Sequence, residues 1–157
     1  MPRMIDGNSK VVKIVPHTEK FVVVSRGEVS ETAERKFEFT GRHFIANYFG
    51  CDHAAMCNHT GLVDAMRKGV DASGATLLKL IEYTFLPSGF TALMLLSESH
   101  ASIHTYPEHD ACFVDLFTCG QLCVAEKFHS VLREYLRPAG YLQKILLRGD
   151  TIEEDCF

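Results

Sequence analysis

Four apolar runs follow one another between residues 76 and 119, and the segments joining them are too short to hold a crossover helix. They are Thr76 to Phe85, Thr91 to Leu96, Ala101 to His104 and Cys112 to Cys119, with Pro87-Ser88-Gly89 as a turn signal between the first two. Parallel neighbours need a connection of a dozen or more residues, so these strands must pair antiparallel. His43 to Phe49 and Tyr141 to Arg148 read as two more strands.

Two amphipathic helices fit between them. In the first, Thr60 is the expected N-cap, Leu62, Ala65, Met66 and Val70 share a face, and Gly74 is the stop. In the second, Val124, Phe128, Val131, Leu132 and Leu136 point inward, and Pro138 and Gly140 end the helix. The expected fold class is α+β: a two-layer sandwich of an antiparallel sheet with helices on one face. The uncovered face is expected to pack against the sheet of a second copy in a dimer. The polar, Glu-containing stretch before Phe39 separates an N-terminal extension, residues 1–38, from a central domain, residues 39–157. Val11–Val15 and Phe21–Ser25 could form an added hairpin in the extension.

Composition narrows the function. A chain of 157 residues that is 46% hydrophobic and 23% charged can build one ordinary core. A formal charge of −4 and the lack of a Lys/Arg run argue against nucleic acid as a partner. The longest apolar runs are far shorter than the roughly 20 residues a membrane helix needs, and residues 1–20 do not read as a signal peptide. The expectation is a cytoplasmic protein acting on a small molecule, its six cysteines held as free thiols.

The densest polar cluster runs from Ser97 to His109, directly after the most hydrophobic strand. A strand edge with ordinary hydrogen bonds accounts for it as well as a functional site does. His100 and His104 have metal-ligand spacing for a helix, but the segment reads as a strand. Cys51, His53, Cys57 and His59 have the ligand types for zinc without a standard spacing. Ser99 or Cys119 with His104 could also form a nucleophile and base, although no strained elbow motif accompanies them.

In order along the chain, Gly41-Arg42-His43, Gly74-Ala75-Thr76, Phe85-Leu86-Pro87, Ser97-Glu98-Ser99-His100, Ile103-His104-Thr105, Pro107-Glu108 and Asp115-Leu116-Phe117-Thr118-Cys119-Gly120 form one pattern. That pattern resembles the bacterial and archaeal S-adenosylmethionine decarboxylase family in its short, metal-independent form. The resemblance implies that the chain cuts itself between Glu98 and Ser99. Ser99 Oγ would attack the Glu98 carbonyl to give an ester. Loss of the Ser99 Cα proton would then expel the Glu98 carboxylate, and hydrolysis of the dehydroalanine would leave a covalent pyruvoyl group derived from Ser99.

His104 is implied as the base near that carbon, a role suited to a histidine. Thr91 takes the place of a processing serine. The pyruvoyl ketone would take the substrate amine as a Schiff base and draw in the electrons released with CO₂. Cys119 is implied as the proton donor that ends the cycle. Phe85 and His104 match the groups that stack adenine, Glu108 the carboxylate that holds the ribose, and Tyr106 stands where relatives have Trp. The partner implied is a second processed protomer of two chains, with the site at the dimer interface, and no metal.

Tyr83-Thr84 replaces the His-Arg or His-His of relatives, which bears on the substrate. S-adenosylmethionine, for polyamine synthesis, is the expected one. Direct decarboxylation of ornithine or arginine on the same fold is the alternative, and an unprocessed binding homologue is a third reading.

Overall fold

The computed structural model describes residues 39–119 and 122–155. The extension expected over residues 1–38, with its hairpin, lies outside the described residues. The elements run β1 (Gly41–Phe49), α1 (His53–Cys57), α2 (His59–Ser73), β2 (Leu77–Thr84), β3 (Phe90–Leu96), β4 (Ser99–Tyr106), a single 3₁₀ turn (Pro107–His109), β5 (Ala111–Cys119), α3 (Ala125–Leu136), β6 (Gly140–Arg148) and β7 (Ile152–Asp155). The seven strands form one sheet in the order β2-β3-β4-β5-β1-β6-β7. Every neighbouring pair is antiparallel, as the short connections require for β2–β3, β3–β4, β4–β5 and β6–β7.

Two elements were not expected. The short helix α1 is held by Asp52, whose side chain accepts from the Ala55 amide at 2.9 Å. Asn58 ends α1 and also begins α2, accepting from the Gly61 amide at 3.1 Å, so Asn58 and not Thr60 is the cap. The expected stop is in place: Gly74 takes a left-handed φ of 85°, which glycine adopts without side-chain cost. The final strand β7, Ile-Glu-Glu-Asp, has no apolar alternation to betray it. It is added to β6 through backbone pairing and a Lys144–Glu154 ion pair.

Strand alternation decides which face is which. Phe44, Ala46 and Tyr48 of β1, Ala92 and Met94 of β3, and Val114 and Leu116 of β5 are all buried. They meet Leu62, Met66 and Val70 of α2 and Phe128, Leu132 and Leu136 of α3 in a single core. The helices themselves touch closely at Gly69. A Cβ there would stand 2.8 Å from Phe128 Cδ2, so a larger residue would force α2 and α3 apart. Val124, expected inward, instead precedes α3 and is exposed, and His129 occupies the core in its helix.

The other face carries no described layer. Alternate residues of β4, His100, Ser102, His104 and Tyr106, stand on it, while Ala101, Ile103 and Thr105 are buried under the helices. Beside them lie Ile81, Leu93, Leu95 and Phe113, each about half exposed or more. A cluster of this kind is more apolar than a surface left to water usually is. Among the described residues no helix is long and apolar enough to cross a membrane.

Candidate active site

The site is built on the two ends of β4. At its start, Ser97 and Glu98 form the two-residue turn between β3 and β4. Thr76 pins that turn twice. Its carbonyl accepts from the Ser97 amide at 2.9 Å, and its amide donates to the Glu98 carboxylate at 2.8 Å. The Glu98 backbone carbonyl in turn accepts from the Cys119 amide at 2.8 Å. Both sides of the Glu98–Ser99 bond are thereby fixed, one by the turn and one by the strand pair β4–β5.

Ser99 is strained. Its φ of 150° lies in a region that side-chain-bearing L residues rarely adopt. Such a conformation costs roughly 1–3 kcal/mol and persists only when the surroundings impose it. The turn anchored at Thr76 and the pairing of Ser99 with Leu96 and Thr118 supply that constraint. Ser99 Oγ lies 3.0 Å from His100 Nδ1.

Around this end stand Phe117, 5.7 Å from the His100 ring, and His43, whose ring meets His100 edge-on at 6.4 Å. His43 Nε2 is 3.3 Å from Asp115, which also accepts from Ser102 Oγ at 3.1 Å. The imidazole of His43 beside it is the main reason the Asp115 carboxyl lies below its usual range. On the far side, burial and the nearby Glu98 carboxylate push the Cys123 thiol up.

The second end of β4 gathers the other expected residues. His104 Nδ1 is hydrogen-bonded to Thr91 Oγ1 across the β3–β4 pair. The Phe85 ring meets His104 edge-on at 5.6 Å, with Tyr83 4.8 Å from Phe85. Tyr106 flanks His104 on its other side at 4.7 Å. Glu108, in the 3₁₀ turn beyond, is reached by the Ser88 hydroxyl at 3.5 Å.

The structure therefore brings Glu98, Ser99 and Cys119 together, and separately brings Thr91, His104, Phe85 and Tyr106 together, with Glu108 in the turn that follows β4. It does not join the two groups within one chain. Ser99 and His104 are five positions apart on one extended strand, about 16 Å at roughly 3.3 Å per residue. That separation is implicit in the sequence once β4 is recognised as starting at Ser99 rather than Ala101. The His43–Asp115 pair and the contact from His100 to Ser99 lay outside the sequence reading, because the first joins side chains across the β1–β5 register and the second arises from the unusual φ at Ser99.

The alternative ligand cluster disperses. Cys51 is buried against Cys112, His53 pairs with Asp110 at 2.8 Å, and His59 stacks on Phe90 at 4.4 Å. Among the described residues no three metal-ligating side chains gather.

A family model described as S-adenosylmethionine decarboxylase matches residues 42–149. An S-adenosylmethionine decarboxylase proenzyme of Prochlorococcus marinus is 40% identical over 69% of this chain and 86% of that protein. Its counterpart in Parasynechococcus marenigrum is 43% identical over 73% of this chain and 94% of that protein. An archaeal proenzyme of the same name, from Methanococcus aeolicus, is 34% identical over 72% of this chain and 97% of that protein. The crystal structure of the adenosylmethionine decarboxylase of Aquifex aeolicus superposes with a TM-score of 0.66 at 29% identity. It covers 76% of this chain and 99% of that one.

Proposed function

The chain belongs to the S-adenosylmethionine decarboxylase family, and from that premise we propose that it is a proenzyme that cuts itself before Ser99 and then decarboxylates S-adenosylmethionine. The observation that carries this reading is the junction itself. A strained serine follows a carbonyl whose oxygen is already held by an amide N–H at 2.8 Å. Attack by Ser99 Oγ would place negative charge on that oxygen, where a preorganised donor counts most. The Cys119 amide supports the role of an oxyanion donor for the cut. Expulsion of the Glu98 carboxylate then needs a base at the Ser99 Cα, which we assign to His104.

The residues fit the pyruvoyl group that results. It would sit at the head of β4, next to Cys119 and level with Phe117 and His43. When present, the group supplies an electron sink for the carboxylate that leaves as CO₂. The chain's own side chains do the rest. Phe85 and His104 offer ring faces for adenine, Tyr106 borders them, and Glu108 offers a carboxylate to the ribose hydroxyls. The Cys119 thiol returns a proton to the substrate carbon.

Because His104 cannot span the length of β4, its action on Ser99 requires a second copy. We infer a homodimer whose open sheet faces meet, so that each Ser99 is served by the other protomer's Thr91–His104 pair. The apolar residues on that face support it. We take residues 39–157 as the decarboxylase domain, with residues 1–38 as an extension to it. The five cysteines described as free thiols support a reducing, cytoplasmic setting. The direct test is CO₂ release from S-adenosylmethionine, ornithine, arginine and lysine side by side. Release from S-adenosylmethionine alone is expected, and turnover of only a basic amino acid would sink the assignment.

A further inference from the structure

The head of β4 carries a second histidine, and it is closer to the serine than His104 is. Successive side chains of an extended strand point to opposite faces, so Ser99 and His100 ought to be kept apart by the sheet. The φ of 150° at Ser99 breaks that alternation and leaves Ser99 Oγ 3.0 Å from His100 Nδ1 in the same chain. The His100 ring in turn packs against those of Phe117 and His43, which also touch each other. His104, by contrast, is engaged with Thr91 at the other end of the strand.

We propose that His100 is a catalytic residue of self-cleavage, shuttling the proton of the first step, the transfer of the Glu98 acyl group from nitrogen to oxygen. This rests on the reading that the Glu98–Ser99 bond is the one cut, and it divides the labour between two histidines. With the proton of neutral His100 on Nε2, Nδ1 accepts from the Ser99 hydroxyl. The Oγ–H bond breaks, its proton passes to Nδ1, and Oγ bonds to the Glu98 carbonyl carbon. The carbonyl oxygen takes the negative charge and keeps its hydrogen bond from the Cys119 amide. When the intermediate collapses, the carbon–nitrogen bond breaks and the His100 proton passes to the Ser99 nitrogen. The products are an ester and a free amine, and His100 is returned to its starting state. His104 is left with a separate task, removal of the Cα proton from the ester.

The test follows the chain itself, synthesised in a cell-free system and sampled over time by denaturing electrophoresis. His100→Ala should slow the appearance of fragments 1–98 and 99–157 by about 10²-fold or more, the usual scale of general acid–base catalysis. Its uncut chain should resist hydroxylamine, because no ester has formed, and added imidazole should raise the rate. His100→Gln keeps a polar group but cannot carry the proton, so it should be equally slow. Cutting at the unaltered rate by either variant overturns the proposal. So does a hydroxylamine-labile ester building up in His100→Ala, or failure of imidazole to help a variant that melts like the parent. A Ser99→Ala chain that still cuts before residue 99 would instead sink the reading of the scissile bond, so the two failures are distinguishable.

Discussion

The Glu98 carbonyl oxygen lies 2.8 Å from the Cys119 amide nitrogen. One residue is therefore proposed to serve twice, its amide as a donor at the bond read as scissile and its thiol as the later acid. Substitution separates them. Cys119→Ser retains the amide, so the chain should still divide into residues 1–98 and 99–157. It loses the thiol acid, and turnover of the processed enzyme should fall by about 10²-fold or more. Parallel electrophoresis and CO₂ release check this, and unchanged turnover would remove the thiol from the mechanism.

Ser99→Ala should abolish cutting outright, because only a β-oxygen can accept the acyl group and later leave with it. The uncut chain should show a single intact mass and no reaction with a carbonyl reagent. The parent should yield a 99–157 fragment that is blocked to N-terminal sequencing and reacts with hydroxylamine as a ketone does.

Most of the sheet was legible because the central strands are apolar runs of strand length and their connections are short, although Leu93, Leu95 and Phe113 on the open face mask the alternation of burial in the sequence. Phe90 to Leu96 and Ala111 to Cys119 alternate buried and open positions almost without a break. What stayed hidden lacks a local signal. The five residues of α1 are too few to show a helical period, and Ile152–Asp155 carries no apolar stripe. The candidate site residues could be listed from the sequence, yet their division into two groups follows only from the rise of a strand. The pairs His43–Asp115 and Tyr48–His129 join residues 72 and 81 positions apart, a distance at which no spacing rule operates.

That division makes a prediction about two defective chains. His104→Ala should stop after the first step and accumulate an ester that hydroxylamine splits. Ser99→Ala should not react at all. Mixed and refolded together, they should cut the His104→Ala chain, because Ser99→Ala still offers an intact His104 across the dimer. If no His104→Ala chain is cut in the mixture, the action of His104 across the interface is refuted.

Substrate recognition should be separable from cutting. Phe85 and Glu108 lie at the far end of β4 from Ser99, one beyond β2 and the other in the 3₁₀ turn. Phe85→Ala and Glu108→Gln should each process normally. Each should raise KM for S-adenosylmethionine by roughly 10-fold, since a hydrogen bond to the Glu108 carboxylate is worth about 1.5–3 kcal/mol and a ring contact at Phe85 about 0.5–1.5 kcal/mol beyond the area it buries. A fall in kcat with KM unchanged would place these side chains in the chemistry instead.

His129 makes a prediction about stability. It is buried in α3, its Nδ1 accepts from the Tyr48 hydroxyl at 2.6 Å, and burial, reinforced by Arg133, pushes it down to about 4. The unfolded chain would take up a proton near the ordinary value of about 6.5, while the folded chain resists until about 4. Its contribution is therefore fully present above pH 6.5 and is lost as the pH falls toward 4, by roughly 3 kcal/mol at most. Urea unfolding of the uncut Ser99→Ala chain should show that loss over this window. Adding His129→Gln should lower stability at pH 7 but flatten the slope between pH 6.5 and 4 relative to the parent. An unchanged slope would mean that other groups, carboxylates among them, account for the acid sensitivity.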